Sequence, residues 1–180
     1  MNMVIGVTGL ARAGKDTVAG HLRCSWTGAI HPSSFAFADP IRAMLSVGLG
    51  ISDWFLDEGK DEVHPLYGVT VRHMMQTLGT EWGRGVICDD VWLKAMDNRV
   101  CAAGGPVIIT DVRFENEAQF VRERGVLVHV QRPGTVLAEG ADHVSEAGII
   151  YRPDDLKVVN DGTWSDLAAK SQLLAKELRV

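Results

Sequence analysis

Apolar and polar positions along this chain follow two alternating periods. Short unbroken apolar runs occur at Met3–Val7, Pro106–Thr110, Val126–Val130 and Leu156–Val159, and Ser33–Ala38 forms a weaker one. Runs of four to six residues rich in Val and Ile read as buried strands, so the chain has five. The stretches between them carry the wider helical period. Thr17–Leu22 follows the first strand, and Asp39-Pro40 opens a helix through Leu45, with Asp39 at the N-cap position. Thr70 caps a helix to about residue 83, in which Val71, Met75, Leu78 and Trp82 form an apolar stripe. Arg72, Gln76 and Thr80 form a second, polar stripe on that helix, and Arg84 follows the Gly83 break. A further helix runs from Asp89 or Asp90 through Trp92, Met96 and Val100. Residues 115–124 form another, closed by Gly125. Thr163, with Asp166 three residues on, opens the last with a capping box. Residues 48–69 read as loops with a short helix around Trp54, and 134–150 as an excursion with a short helix.

Strands that alternate with helices and are apolar throughout predict an α/β domain, a parallel sheet with helices on both faces. Such sheets bind ligands beyond the carboxyl ends of their strands. Gly9, Asp39, Asp111, Arg132 and Asn160 stand at those ends.

The 180 residues suit one domain, and the net charge of −5 provides no basic footprint for nucleic acid. The three cysteines, Cys24, Cys88 and Cys101, have neither disulfide nor metal spacing, which fits a reduced, cytoplasmic compartment. No run approaches a membrane span. Small-molecule partners are therefore expected, without nucleic acid or membrane, and a homodimer is compatible with the composition.

The densest chemistry lies between the first strand and helix, at Gly9-Leu-Ala-Arg-Ala-Gly-Lys-Asp-Thr17. Glycines at 9 and 14 let successive backbone N–H groups turn toward an anion, and Lys15 reaches the outer phosphates of a nucleotide. The following helix adds its positive end. Gly9, Arg12, Ala13, Gly14, Lys15, Asp16 and Thr17 are thus candidates for ATP binding. Asp16 stands where such loops place Ser or Thr. A carboxylate beside a triphosphate needs a cation between them, so Asp16 either holds magnesium, orients the acceptor or pairs with an arginine, and Thr17 is the alternative hydroxyl. Asp111 ends its strand either as a magnesium-binding acid or as an N-cap. Arg12, Arg42, Arg72, Arg84, Arg113 and Arg132 supply the cations that phosphoryl transfer needs on donor and acceptor. His143, Ser145 and Glu146 read as part of a lid.

These residues resemble the deoxynucleoside monophosphate kinases of tailed bacteriophages. The matching pieces are Gly14-Lys-Asp-Thr17, Phe37-Ala-Asp-Pro-Ile-Arg42 and Arg72-x-x-x-Gln76-x-x-Gly79-Thr-Glu-x-Gly-Arg84. Further on come Ile109-Thr-Asp-Val-Arg-Phe-x-Asn-Glu117, Arg132-Pro, His143-x-Ser-Glu146 and Asn160-Asp-Gly162. The resemblance implies a single three-layer P-loop kinase domain over residues 1–180, with an acceptor-binding helical region at about 39–103 and a lid at about 132–152. It implies ATP and Mg2+, a 2′-deoxynucleoside 5′-monophosphate acceptor, and, for a phage enzyme, the cytoplasm of the host. Lys15, Asp16 and Arg132 would be catalytic. Asp39, Arg42, Arg72, Gln76, Thr80, Arg84, Arg113, His143 and Glu146 would bind the acceptor, and Asp16, Thr17 and Asp111 the metal. Two rival readings are a kinase of another phosphorylated metabolite, like phosphomevalonate or dephospho-coenzyme A kinases, and a non-catalytic nucleotide-binding switch.

Overall fold

The five apolar runs form one parallel sheet in the order β2-β3-β1-β4-β5. The computed structural model describes residues 3–134 and 149–178. The strands are β1 (Val4–Thr8), β2 (Ser33–Phe35), β3 (Val107–Val112), β4 (Gly125–Gln131) and β5 (Leu156–Val159). The helices are α1 (Lys15–Cys24), α2 (Asp39–Leu49), α3 (Asp53–Leu56), α4 (Val71–Gln76), a π-helix (Thr77–Ile87), α5 (Val91–Ala102), α6 (Glu115–Arg122) and α7 (Trp164–Glu177). The chain divides into two units, Met1–Ala36 with Arg99–Val180, and Phe37–Asn98.

In the sheet-bearing unit the alternation of strand side chains places helices on both faces. Ile5 and Val7 of β1, Ile108 of β3, Val128 and Val130 of β4 and Val158 of β5 share a core with Val18, Ala19 and Leu22 of α1 and Leu167, Leu174 and Ala175 of α7. On the other face α6 lies so close to β1 that a Cβ on Gly6 would sit 2.7 Å from the Val121 side chain. Gly125, expected to close α6, instead opens β4. Glu123 is the C-cap of α6, and a Cβ at Gly125 would lie 2.0 Å from the Val4 carbonyl oxygen, so the neighbouring strand requires the glycine.

On the α6 face, beneath the return of the chain to β5, lies a buried charge network. Asp155 accepts from Arg122 Nε and Nη2 (2.9 and 2.8 Å), from the Arg152 backbone N–H (2.8 Å), and is joined by His129 Nε2 (3.0 Å). Burial alone would raise the Asp155 pKa, but the Arg122 hydrogen bonds, the Arg152 N–H and His129 hold it at about 2. Burial pushes His129 below its usual value, against the pull of Asp155. Arg122 also donates to Glu115 and to the Ile150 carbonyl (both 2.8 Å), tying residues 150–155 to α6.

In the Phe37–Asn98 unit, and at the strand that leads into it, several expectations change. β2 stops at Phe35, and α2 begins at Asp39 with Ala38 as its N-cap, so Asp39 is the first helical residue and not the cap. Thr70 does cap α4, accepting from the His73 N–H at 3.1 Å. After one and a half turns, however, the helix widens into the π form. Gly79 and Gly83 of this segment are buried, and Cβ atoms there would lie 2.9 Å from Ile41 Cδ1 and 2.5 Å from the Trp92 ring. Trp92 Nε1 donates to the Gly79 carbonyl at 2.7 Å. Trp82, counted into the core stripe by α-helical spacing, is 41% exposed. It lines an open apolar groove of about 510 Å³ with Met44, Leu45, Leu49, Met74 and Leu78. Arg84 lies within the π-helix and not beyond a break at Gly83.

Candidate active site

The loop between β1 and α1 is shaped by residues that a side chain would spoil. Gly9 has φ 146°, and a Cβ there would lie 2.3 Å from the Val130 carbonyl oxygen, so β4 sits directly against the loop. Gly14 has φ 102° at the start of α1, and Arg12 adopts the left-handed region at φ 61°. Left-handed residues at 12 and 14 turn the intervening backbone into a concave surface suited to an anion. Lys15 folds back across it, its Nζ donating to the carbonyls of Gly9 (3.0 Å) and Leu10 (2.9 Å). The ammonium is therefore held at the loop it would serve. Ala13 is buried, Arg12 and Asp16 are exposed, and Thr17 is half-buried in the first turn of α1.

A residue outside the expected set supports this loop. Asn160, just after β5, donates from Nδ2 to the Ala13 carbonyl (3.0 Å), and its backbone N–H bonds the Gln131 carbonyl (2.7 Å). Its position at a strand end was visible in the sequence; its bracing of the loop was not. Asp111 lies inside β3 and is half-buried. Between Gly6 and Thr8 the β1–β3 register shifts, Gly6 pairing with Ile109 and Thr8 with Val112, so the extra residue falls at 110–111. Such bulges re-aim side chains beside functional sites. The N-cap reading of Asp111 is corrected: the N-cap of α6 is Phe114, and Glu117 Oε2 accepts the N–H groups of Arg113 (2.8 Å) and Phe114 (3.1 Å). Glu117 is buried and fixes the backbone at Arg113, which is itself exposed; the Asn-Glu ending of that motif was its only sequence signal. Arg132 follows β4 directly and is exposed.

In the Phe37–Asn98 unit the candidate arginines are already engaged. Arg42 donates from Nη1 to the Leu56 carbonyl (2.9 Å) and from Nη2 to Asp57 (2.5 Å). Arg72 grips the Asp61 carboxylate through Nε and Nη2, the second bond being 3.0 Å. Arg84, with its side chain 7% exposed, donates from Nη1 to the Asp89 carbonyl (3.0 Å). Asp39, Gln76 and Thr80 are half-buried. His143 and Glu146 lie outside the described residues. Among the described residues, no three acidic, His or Cys groups cluster as a metal cage, and none of the helices is long and apolar enough to cross a membrane.

A family model for deoxynucleotide monophosphate kinases matches residues 57–171. The deoxynucleoside-5′-monophosphate kinase of Escherichia phage T5 is 27% identical, with 83% of this chain and 86% of that protein covered. The deoxynucleotide monophosphate kinase of Enterobacteria phage T4 is 32% identical over 61% of this chain and 46% of its own length. Among solved structures, shikimate kinase from Aquifex aeolicus superposes with a TM-score of 0.49 at 17% identity over 97% of each chain. The family match runs from the Asp57–Glu62 loop, through the arginine-bearing helices, the β3 bulge and Asn160, into α7. A five-stranded parallel sheet with a glycine-bearing loop after β1 accompanies it, and, on a match over more than half of its length, the chain belongs to the deoxynucleotide monophosphate kinase family.

Proposed function

We propose that this chain transfers the γ-phosphoryl group of ATP to a 2′-deoxynucleoside 5′-monophosphate, giving the diphosphate and ADP. The observation that carries this reading is the loop: glycines at 9 and 14 packed where no Cβ fits, with Lys15 laid across them, in a chain of this family. The loop N–H groups and the start of α1 hold the donor phosphates, and Lys15 exchanges its carbonyl partners for phosphate oxygens. Arg42, Arg72 and Arg84, assisted by Asp39, Gln76, Thr80 and Arg113, hold the acceptor. The acceptor phosphate is ionised at neutral pH, so no strong general base is needed. Arg132, exposed after β4, is assigned to charge developing during transfer.

Magnesium suits this set of donors, since it takes one or two carboxylates plus phosphate oxygens and water rather than a protein cage. Asp16, Thr17 and Asp111 would hold it, and bound there it would offset the negative charge of the phosphate groups. We further assign the protein to the cytoplasm, that of the host cell for a phage-encoded enzyme, with small-molecule nucleotides as its partners.

The test is ATP turnover with a panel of deoxynucleoside monophosphates, phosphomevalonate, dephospho-coenzyme A and no acceptor. Diphosphate formation from at least one deoxynucleotide, far above the other acceptors, is expected. Turnover only with a non-nucleotide acceptor, or tight ATP binding with no transfer at all, would overturn the proposal.

A further inference from the structure

Two of the arginines assigned to the acceptor are held by a single acidic loop, Asp57-Glu58-Gly59-Lys60-Asp61-Glu62. Asp61 takes the Nε–Nη2 edge of Arg72, and Asp57 takes Nη2 of Arg42 while Leu56 takes Nη1. The loop is itself braced. The Arg72 N–H donates to the Lys60 carbonyl at 2.8 Å, and Val63 pairs with Thr70, so Asp61 is bracketed by bonds to the start of the helix that carries Arg72. Gly59 bonds from its N–H to the Trp54 carbonyl (2.9 Å), and a Cβ on Gly59 would lie 2.3 Å from the Trp54 ring. Asp57 bonds from its N–H to the Asp53 carbonyl at 3.0 Å. Carboxylates on a backbone this constrained present fixed targets to the two guanidinium groups.

The Arg72 and Asp61 side chains are 38% and 62% exposed, and a pair so exposed contributes little to fold stability. Its consequence is orientation. A guanidinium gripped along its Nε–Nη2 edge has its plane set in direction, so a phosphate meets a donor group that is already oriented.

We propose that Asp61 is a positioning residue for the acceptor phosphate, acting through Arg72. The proposal rests on the assignment of that arginine to the acceptor. The experiment measures kcat, both KM values and Tm for Asp61→Asn, Asp61→Glu and Arg72→Ala. Asp61→Asn is expected to raise the acceptor KM about tenfold, the scale of one charge-assisted hydrogen bond. The kcat, the ATP KM and Tm should stay close to wild type, and Asp61→Glu should recover part of the loss. An acceptor KM that is unchanged or lowered in Asp61→Asn, or one that rises together with the ATP KM and a fall in Tm, overturns the positioning role. If Arg72→Ala also leaves the acceptor KM unchanged, the acceptor assignment itself is wrong. If Arg72→Ala raises it and Asp61→Asn does not, that assignment stands and only the positioning role fails.

Discussion

The sheet-bearing unit and the Phe37–Asn98 unit handle charge in opposite ways. In the first, Arg122, Asp155 and His129 have side chains no more than 12% exposed and bond one another across α6, β4 and the approach to β5. In the second, Arg42 and Arg72 pair with acids on an exposed loop. Buried charges are costly to leave unmatched, so the first network acts on stability; exposed pairs contribute little, so losing the second should leave the fold intact. The same contrast runs through the two proposed phosphate sites. The loop at 9–17 is set by glycines packed where no Cβ fits, whereas Arg42 and Arg72 are side chains held by carboxylate partners.

A loss of stability as large as any expected here follows from removing Asp155. Asp155→Ala leaves Arg122 with Glu115 but without its buried carboxylate, and should lower stability by about 3–5 kcal/mol in chemical denaturation. The pH dependence sharpens this. A carboxyl whose folded pKa is depressed to about 2 stabilises fully above its unfolded value and loses that contribution as pH falls toward 2. Wild-type stability should therefore fall between about pH 4 and pH 2 by roughly 2 kcal/mol more than that of Asp155→Asn. A parallel decline in both would remove Asp155 from this role. Next in size is Lys15→Ala, expected to reduce kcat at saturating ATP by about 10²–10³ with Tm preserved, since Lys15 contacts loop carbonyls and lies outside the core cluster. Near wild-type turnover would dissolve the loop assignment. Two tryptophans test the π-helix. Trp92→Ala removes a buried ring and its bond to Gly79, and should cost about 3–5 kcal/mol. Trp82→Ala should cost about 1 kcal/mol or less, because the ring stands at the surface. Equal losses would restore the α-helical register.

That register marks where the sequence stopped being legible. The five strand runs, the glycine-bearing turn between β1 and α1 and the Thr163–Asp166 capping box follow from local rules, and the structure has each of them, with β2 shorter than its run. The loop was readable because backbone curvature next to a strand demands glycine. The π-helix was not, because its winding follows from Gly79 and Gly83 admitting Ile41 and Trp92, and that choice is tertiary. Two glycines four residues apart were the available signal. Gly125 misled for a similar reason: a glycine after a helix suits a C-cap, and only the approach of Val4 shows its use. The partners of Arg42 and Arg72 lie 15 and 11 residues away along the chain, beyond any helical or strand spacing. Sequence thus singled out the arginines and missed the acids that hold them.

The donor is assigned to the loop and the acceptor to the arginine-bearing helices. The most direct test of that division is a crossed titration of Lys15→Ala and Arg72→Ala, each with a non-hydrolysable ATP analogue and, separately, a deoxynucleoside monophosphate. Lys15→Ala should weaken the ATP analogue and leave the monophosphate unaffected. Arg72→Ala should weaken the monophosphate about ten- to a hundredfold, the scale of a charge-assisted contact of roughly 1.5–3 kcal/mol, and leave the analogue unaffected. Equal losses for both ligands in either variant, or no loss of monophosphate binding in Arg72→Ala, would contradict the division.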